Sequence, residues 1–393
     1  MQNITVTPSP ANGIFAPLLG LALFAIASGY FMSLLPLALA GLSLPLGLSA
    51  WLASAYYTGL LGGALAAQKV ISKMGHRRAL ALCLAVIFSC VVLMWQLPYT
   101  ISWLALRFIA GAATAGVFII VESWLLLVDD DKQRASRLGI YMATLYAGNA
   151  FGQLLIEPFG TSGSVPFLTV MVLLSLAILA PLLSRSNAPT QTQHHALSFK
   201  AFSTLSKPAI IGCIVSGLIL GPIYGLMPSY LSSLSVWGNN VGKLMACLVL
   251  GGMLIQPLSS YLSARFSKTL LQAMMASIGV LAAIAVVLAK SWLGLSVALF
   301  VLGASTFSLY PIAISQACVN AQSDNIVAIT EFMLISYSIG SIVGPLIAGY
   351  SAVWGSQLPL YLAAILASTS LYMLLVAVKE KDGRGHLPPT FGI

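Results

Sequence analysis

The sequence predicts an all-α membrane protein of twelve transmembrane helices arranged as two parallel-repeat six-helix bundles. Three observations predict it. Only 7% of the 393 residues are charged while 59% are hydrophobic. The apolar residues fall into twelve runs, each close to the roughly 20 residues that a helix needs to cross a bilayer. The second half repeats glycine and proline positions of the first at one constant separation. A soluble domain carries about a quarter charged residues because its surface faces water, so a soluble enzyme is excluded. Disordered chains and disulfide-stapled secreted scaffolds are excluded with it. An outer-membrane barrel would read as alternations of about ten residues, whereas these runs are long and unbroken.

The predicted spans, in order, are 14–39, 49–68, 79–97, 101–128, 135–158, 164–184, 209–235, 242–264, 270–289, 292–319, 326–350 and 356–378, joined by short segments carrying Gly, Pro, Asn or charge. Residues 1–13 contain no basic residue and the first run exceeds a signal-peptide core, so it is expected to remain as a span. Spans three, six, nine and twelve are plain, as in Ala81 to Phe88 and Val280 to Val287, and are expected to face lipid. The other eight carry Gly, Pro, Tyr, Asn, Gln and charge, which a membrane tolerates only against protein or a water-filled cavity. They are expected to surround a central cavity. Cys83, Cys90, Cys213, Cys247 and Cys318 all lie in apolar runs and read as small buried hydrophobes.

Pro36 with Pro228, and Gly20, Gly59, Gly111, Gly148 and Gly152 with Gly212, Gly251, Gly303, Gly340 and Gly344, are all 192 residues apart. Six helices separate the copies, so both halves enter the membrane in the same orientation. The predicted organisation is an N-terminal bundle over 1–184, a cytoplasmic linker over 185–208, a C-terminal bundle over 209–378 and a cytoplasmic tail over 379–393. The linker's His194 and His195 have no further ligand nearby and read as solvated.

Basic residues are retained on the cytoplasmic side. Fifteen Lys and Arg residues between Lys69 and Arg384 fall on one side, and only Lys243 and Lys290 on the other, which places both termini in the cytoplasm. Trp51, Trp95, Trp103, Trp237, Trp292 and Trp354 collect at span ends on the basic-poor side, as interfacial indoles do. The net charge of +9 thus marks topology and anionic headgroups, with no nucleic-acid partner.

Several stretches resemble one known family over nearly the whole chain: Arg107 to Gly111 followed by Val121-Glu122-Ser123-Trp124, Gly148 to Leu155, Ser216 to Pro228, and Ser336 to Pro345. They resemble the major facilitator superfamily (MFS) of transporters, and within it the bacterial YcaD-type branch. The resemblance implies a secondary active transporter of a small molecule in the bacterial inner membrane, working by alternating access and coupled to protons, with export favoured over uptake. The alternatives are a proton-independent uniporter and a non-transporting receptor or scaffold of the same fold. A monomer in the lipid bilayer, with no cofactor and no metal, is expected. No nucleotide loop, Ser/His/Asp set or metal-ligand cluster is present, so an enzyme is not expected.

Superfamily motifs carry over in part. The basic segment Lys73-Met74-Gly75-His76-Arg77-Arg78 has Ser72 and Gln68 at its usual acidic and glycine positions. Gly75 permits a tight turn there, and Arg77 and Arg78 can meet headgroups and the C-termini of neighbouring helices, or act at a gate. His76 reads as a solvated interface residue. Arg107 and Gly111 match the helix-four motif associated with proton coupling. Gly139, Gly148 and Gly152 match the antiporter-associated motif of helix five, with Gln153 in place of its proline, and Gly344-Pro345 with Gly340 is the intact counterpart in helix eleven. Glycine every fourth residue allows close crossing, and proline removes a helical hydrogen bond, which suits bundles that rock or simply pack.

Ionisable groups within spans are costly and therefore read as functional. Arg107 and Glu122 are fifteen residues apart on one helix, broadly on one face and about 22 Å apart along the axis. Glu122 is the expected proton carrier, or else an ion-pair partner of Arg134 or Arg137. Arg107 is expected to hold an anionic group or tune a carboxylate, or else to snorkel to the interface. Glu331 is either a third functional charge or a favourable one at a helix N-terminus. Tyr30, Tyr56, Tyr57, Tyr141, Tyr146, Asn149, Gln153, Tyr224, Tyr310 and Tyr337 are the predicted cavity lining, suited to an amphipathic or aromatic ligand.

Overall fold

A backbone in hydrocarbon has no water to satisfy its N–H and C=O groups, so each crossing segment must satisfy them internally. The computed structural model describes residues 14–126, 131–183, 206–234, 240–319, 326–352 and 358–384. Among these residues the long elements are all helical. Helix α1 is Phe15–Ala38; α2 and α3 are the two limbs, 48–74 and 76–96, of the continuous run Leu48–Gln96. They are followed by α4 (Thr100–Leu126), α5 (Asp131–Leu154), α6 (Val165–Leu183), α7 (Lys207–Ser233), α8 (Val241–Arg265), α9 (Lys268–Leu288), α10 (Trp292–Ala317), α11 (Ile326–Ala352) and α12 (Leu358–Arg384). A helix stands at each of the twelve predicted spans, and among the described residues ten helices are long and apolar enough to cross a membrane. Most of the expected linker, with His194 and His195, lies outside the described residues, as do Trp237 and Trp354.

The basic segment between spans two and three differs from the expected loop. Both limbs are helical up to Gly75, which alone makes the turn at φ 73° and ψ 161°. Such a positive φ is open to glycine because it has no Cβ to clash. At the other end of the chain α12 continues to Arg384, beyond the predicted limit at 378, so the start of the expected tail is helical.

The two halves pack alike. In the first, α1 lies on α5, α2 on α4, and α3 on α6; in the second, α7 lies on α11, α8 on α10, and α9 on α12. The repeated glycines sit at these crossings and meet equivalent carbonyls. A Cβ on Gly59 or Gly251 would collide with the carbonyl of Phe108 or Phe300, and a Cβ on Gly111 or Gly303 with that of Tyr56 or Leu248. Gly152 and Gly344 likewise face the carbonyls of Ile26 and Leu218. In each case the partners, like the glycines, are 192 residues apart. Gly20 and Gly212 are the exception, facing Ala177 and Gln272 respectively.

Helices α3, α6, α9 and α12 turn large apolar side chains outward, including Leu82, Val172, Leu281 and Leu371, as expected of lipid-facing supports. The remaining helices converge on the interface between the halves.

Gly59→Ala or Gly251→Ala is expected to destabilise the protein by about 1–3 kcal/mol through overpacking at the crossing. Gly62→Ala, where a Cβ meets nothing within 4 Å, should be neutral or stabilising. Thermal unfolding in detergent checks this, and an equal response at Gly62 and Gly59 would contradict the crossing argument.

Candidate functional site

The halves meet through two symmetry-equivalent helix pairs, α2 with α11 and α5 with α8, and through α1 with α7. On the side opposite the termini the halves touch at several points, beside a cavity of about 520 Å³ lined by residues of both halves, among them Pro36, Ser49, Ala50, Leu226, Tyr230 and Gly349. Ser54 Oγ donates to the carbonyl of Ile342 at 2.6 Å, and the backbone N–H of Lys243 donates to Glu157 Oε1 at 3.2 Å. Gly225 stacks on Ala53 and Gly349 on Ala50, where an added Cβ would come within 2.6 and 2.7 Å of the alanine methyl. Gly242 sits directly against the carbonyl of Gln153. Small residues at these positions let one backbone approach another, which a larger side chain would prevent.

Near mid-span lies a cluster of aromatic residues drawn from both halves. Tyr146 of α5 contacts Phe307 of α10 edge-on at 5.9 Å, and Phe307 contacts Tyr224 of α7 at 5.7 Å. Tyr310 and Tyr337 pair at 4.9 Å, and Tyr56 and Tyr57 at 5.6 Å. The hydroxyls of Tyr57, Tyr224 and Tyr337 lie within mutual electrostatic reach across α2, α7 and α11. The predicted lining residues Tyr56, Tyr57, Tyr146, Tyr224, Tyr310 and Tyr337 are therefore brought together. Tyr141, on α5, is buried closer to the termini side. Phe307 was missed because an isolated phenylalanine in an apolar span carries no signal of its own.

Two of the lining expectations, Tyr30 and Gln153, are corrected, because both are buried and make their side-chain hydrogen bonds within the first half. Tyr30 is fully buried and its hydroxyl donates to the carbonyl of Gly160 at 2.6 Å. Gln153 Oε1 accepts from Ser33 Oγ at 2.5 Å, tying α5 to α1. The backbone of Asn149 lies against Gly29, with Asn149 Oδ1 buried and unpartnered.

The intramembrane charges separate. Glu122 is exposed on the termini side, with Tyr141 of α5 and Tyr310 of α10 in electrostatic reach, one from each half. Arg137, one of its expected partners, donates instead to the carbonyl of Leu125 at 3.4 Å. Arg107 does not snorkel. It is 7% exposed, with its guanidinium carbon 4.2 Å from the ring centre of Tyr56 and 5.9 Å from that of Phe31. A desolvated cation–π contact contributes about 2 kcal/mol, against a burial cost of several kcal/mol per ion. Nε of Arg107 has no hydrogen-bond partner. Glu331 is partly buried five residues after the start of α11.

With this geometry in hand, the sequence matches the Major Facilitator Superfamily over residues 18–330. The chain belongs to that superfamily. It is 34% identical over 372 residues to the uncharacterized MFS-type transporter YcaD of Salmonella dublin, covering 92% of this chain and 94% of that one. An uncharacterized MFS-type transporter of an Enterobacter species is 33% identical over 379 residues, covering 94% and 96%. The fold is similar to a crystal structure of nucleoside transporter NupG, with a TM-score of 0.79 and 12% identity over 92% of this chain and 99% of that one. It is also similar to the Escherichia coli fucose:proton symporter FucP, at a TM-score of 0.60 and 17% identity over 92% and 98%. Superfamily membership makes this a multi-pass membrane transport protein and not an enzyme.

The superfamily's motif residues serve mainly within bundles. Arg77 donates to the carbonyl of Leu182 at the end of α6, a cation meeting the orphan carbonyls of a helix C-terminus. Arg78 is exposed. His76 corrects the expectation of a solvated residue: it is 3% exposed, its Nε2 is 3.1 Å from Ser123 Oγ, and its ring meets Trp124 edge-on at 6.3 Å. Gly148 and Gly152 hold α5 against α1, while Gly340, Gly344 and Pro345 hold α11 against α7.

Ala50→Cys with Gly349→Cys, in a cysteine-free background, is expected to cross-link under mild oxidation, since a small backbone shift brings the pair to disulfide spacing. Gel mobility after protease cleavage in the linker checks this; failure to cross-link would contradict the closure.

Proposed function

We propose that this superfamily member is a proton-coupled secondary transporter that exports an aromatic or amphipathic small molecule by alternating access. The tyrosine cluster shared by both halves, beneath the contacts between them, is the observation that supports this reading most strongly. Tyrosines offer ring faces to an apolar body and hydroxyls to a polar edge, so they recognise such a ligand without a fixed charge. The bundles 1–184 and 209–378 rock about this floor, with the linker 185–208 and the tail 379–393 in the cytoplasm, as the distribution of Lys and Arg supports. The closed side is then periplasmic, in the inner membrane of a bacterium, and the state is inward-facing. In support, the bacterial homologue of Spinster solved in an inward-facing conformation has a TM-score of 0.69, against 0.60 for FucP in its outward conformation. One chain holds the complete cleft, so a monomer suffices.

Glu122 carries the proton. It lies on the open side where water can deliver one, between tyrosines of both halves, and protonation removes the charge that opposes closure around it. Glu331 is the second acid of the pathway, and Arg107 sets the field on the first bundle. Gly75, Arg77 and Arg78 shape the cytoplasmic gate. Gly148, Gly152, Gly340, Gly344 and Pro345 act on gating by fixing the helices that carry Tyr146 and Tyr337.

A thermal-shift screen of purified protein over nucleosides, dyes and aromatic amphiphiles is expected to yield ligands that raise the apparent stability, and Tyr224→Ala should abolish that rise. With such a ligand in proteoliposomes, an acidic lumen should drive its accumulation and ligand flux should move protons. Glu122→Gln should lower gradient-driven accumulation at least tenfold while leaving exchange of ligand at equal pH. Unchanged accumulation in Glu122→Gln would favour the uniporter, and no flux under any gradient would favour a receptor.

A further inference from the structure

Arg107 has a charge that nothing among the described residues balances. A buried lysine or carboxyl group can lose its charge by shifting its pKa, but a guanidinium stays protonated in proteins, so its counter-charge must be found. Helices α1, α2, α3, α6 and α7 contain no Asp or Glu at all. The only acid within α4 is Glu122, fifteen residues away, which is about 22 Å along the helix. Glu157, just beyond the end of α5, already accepts from the backbone N–H of Lys243. The groups that Arg107 senses electrostatically are Tyr56, Tyr57 and Cys90, none of them a carboxylate.

The space beside it is shaped for a small guest. Arg107 lines a cavity of about 30 Å³ between α1, α2, α3, α4 and α6, together with Ser28, Phe31, Tyr56, Thr114 and Leu174. A second cavity, of about 20 Å³, adjoins Arg107 and Tyr56 on the side of Tyr57 and Tyr224. A cavity of such size holds one or two water-sized particles. Two donors at the larger cavity are uncommitted: Nε of Arg107, buried without a partner, and the hydroxyl of Ser28, which makes no hydrogen bond among the described residues. Thr114 Oγ1, by contrast, donates back to the carbonyl of Ala110 at 2.8 Å. The remaining wall is apolar, and a water there would solvate the guanidinium without neutralising it.

We propose that this cavity holds a resident monovalent anion of about the size of chloride, bound by Arg107 and Ser28. The anion is a structural counter-ion on the first-bundle side of Tyr56, next to the ligand cleft, and it does not depend on what the protein transports. A cavity of about 30 Å³ is too small for anions as large as sulfate or gluconate.

The test uses purified protein in detergent at constant ionic strength, with sodium gluconate replaced stepwise by chloride, bromide or nitrate, or by sulfate. A saturable rise in Tm is expected with the three small anions and not with sulfate, because a ligand bound only by the folded state stabilises it. Arg107→Gln should remove the dependence. Should that variant fail to fold, Ser28→Val, which fills the cavity while keeping the arginine, should shift the half-saturating chloride concentration upward at least tenfold. A bromide-grown crystal should show an anomalous peak at the cavity. A wild-type Tm indifferent to anion identity, a response unchanged in both variants, or a cavity containing water in the presence of bromide would each overturn the proposal.

Discussion

In hydrocarbon, lipid tails compete with apolar side chains on equal terms, so helices adhere only where they come close enough to gain dispersion and backbone contacts. Here that closeness is set by glycine against carbonyl. Gly59 meets Phe108 and Gly251 meets Phe300; Gly111 meets Tyr56 and Gly303 meets Leu248. Each pair recurs after 192 residues with its partner, so what the repeat preserves is a crossing rather than a residue. These crossings make each half a rigid unit. The contacts between halves use small residues on surfaces that can separate, Ala50 on Gly349 and Ala53 on Gly225. Rigid bundles with a separable seam are the mechanical requirement of alternating access.

The seam also explains where polarity is placed. Tyr56 and Tyr57 stand on α2, Tyr146 on α5, Tyr224 on α7 and Tyr337 on α11, the helices that take part in the contacts between halves. A tyrosine is tolerable there in both states because its ring can pack when the cleft is shut and its hydroxyl can meet water when it is open. A charge could not be buried and exposed so cheaply, and Glu122, within electrostatic reach of Tyr141 and Tyr310, is exposed on the termini side.

Much of this was legible in the residues. Span number, the repeat and the lipid-facing helices followed from hydropathy and from glycine spacing, because those signals depend on the chain's period and not on a partner; the superfamily came from the resemblance of a few motif stretches. Side-chain direction was less legible. Tyr30 and Gln153 have the same composition signal as Tyr146, yet their side chains are spent on hydrogen bonds within the first half. Helical periodicity gives the relative angle of two residues and leaves the absolute orientation of the helix undetermined. The same limit hid the burial of His76 against Trp124, and the packing of Arg107 on Tyr56, whose two residues are far apart in sequence. The basic segment read as a loop because its charge masks a helical backbone, which only Gly75 interrupts.

The halves diverge at one place that bears on motion. Gln153 corresponds to Pro345, Ser33 to Gly225 and Gly29 to Gly221, each 192 residues apart. In the first half Ser33 donates to Gln153, so a side-chain hydrogen bond fastens α1 to α5. In the second, Pro345 packs its ring 3.0 Å from where a Cβ on Gly221 would stand, and it forfeits a helical hydrogen bond in α11. The equivalent of Ser33 has become Gly225, freed to lie against Ala53 of the other half. The same structural position is thus a fastener in one bundle and a softened helix with a sliding contact in the other. Bending of α11 at Pro345 would carry Ile342 away from Ser54 and open the seam from the second half, while α5 moves with its bundle as one piece.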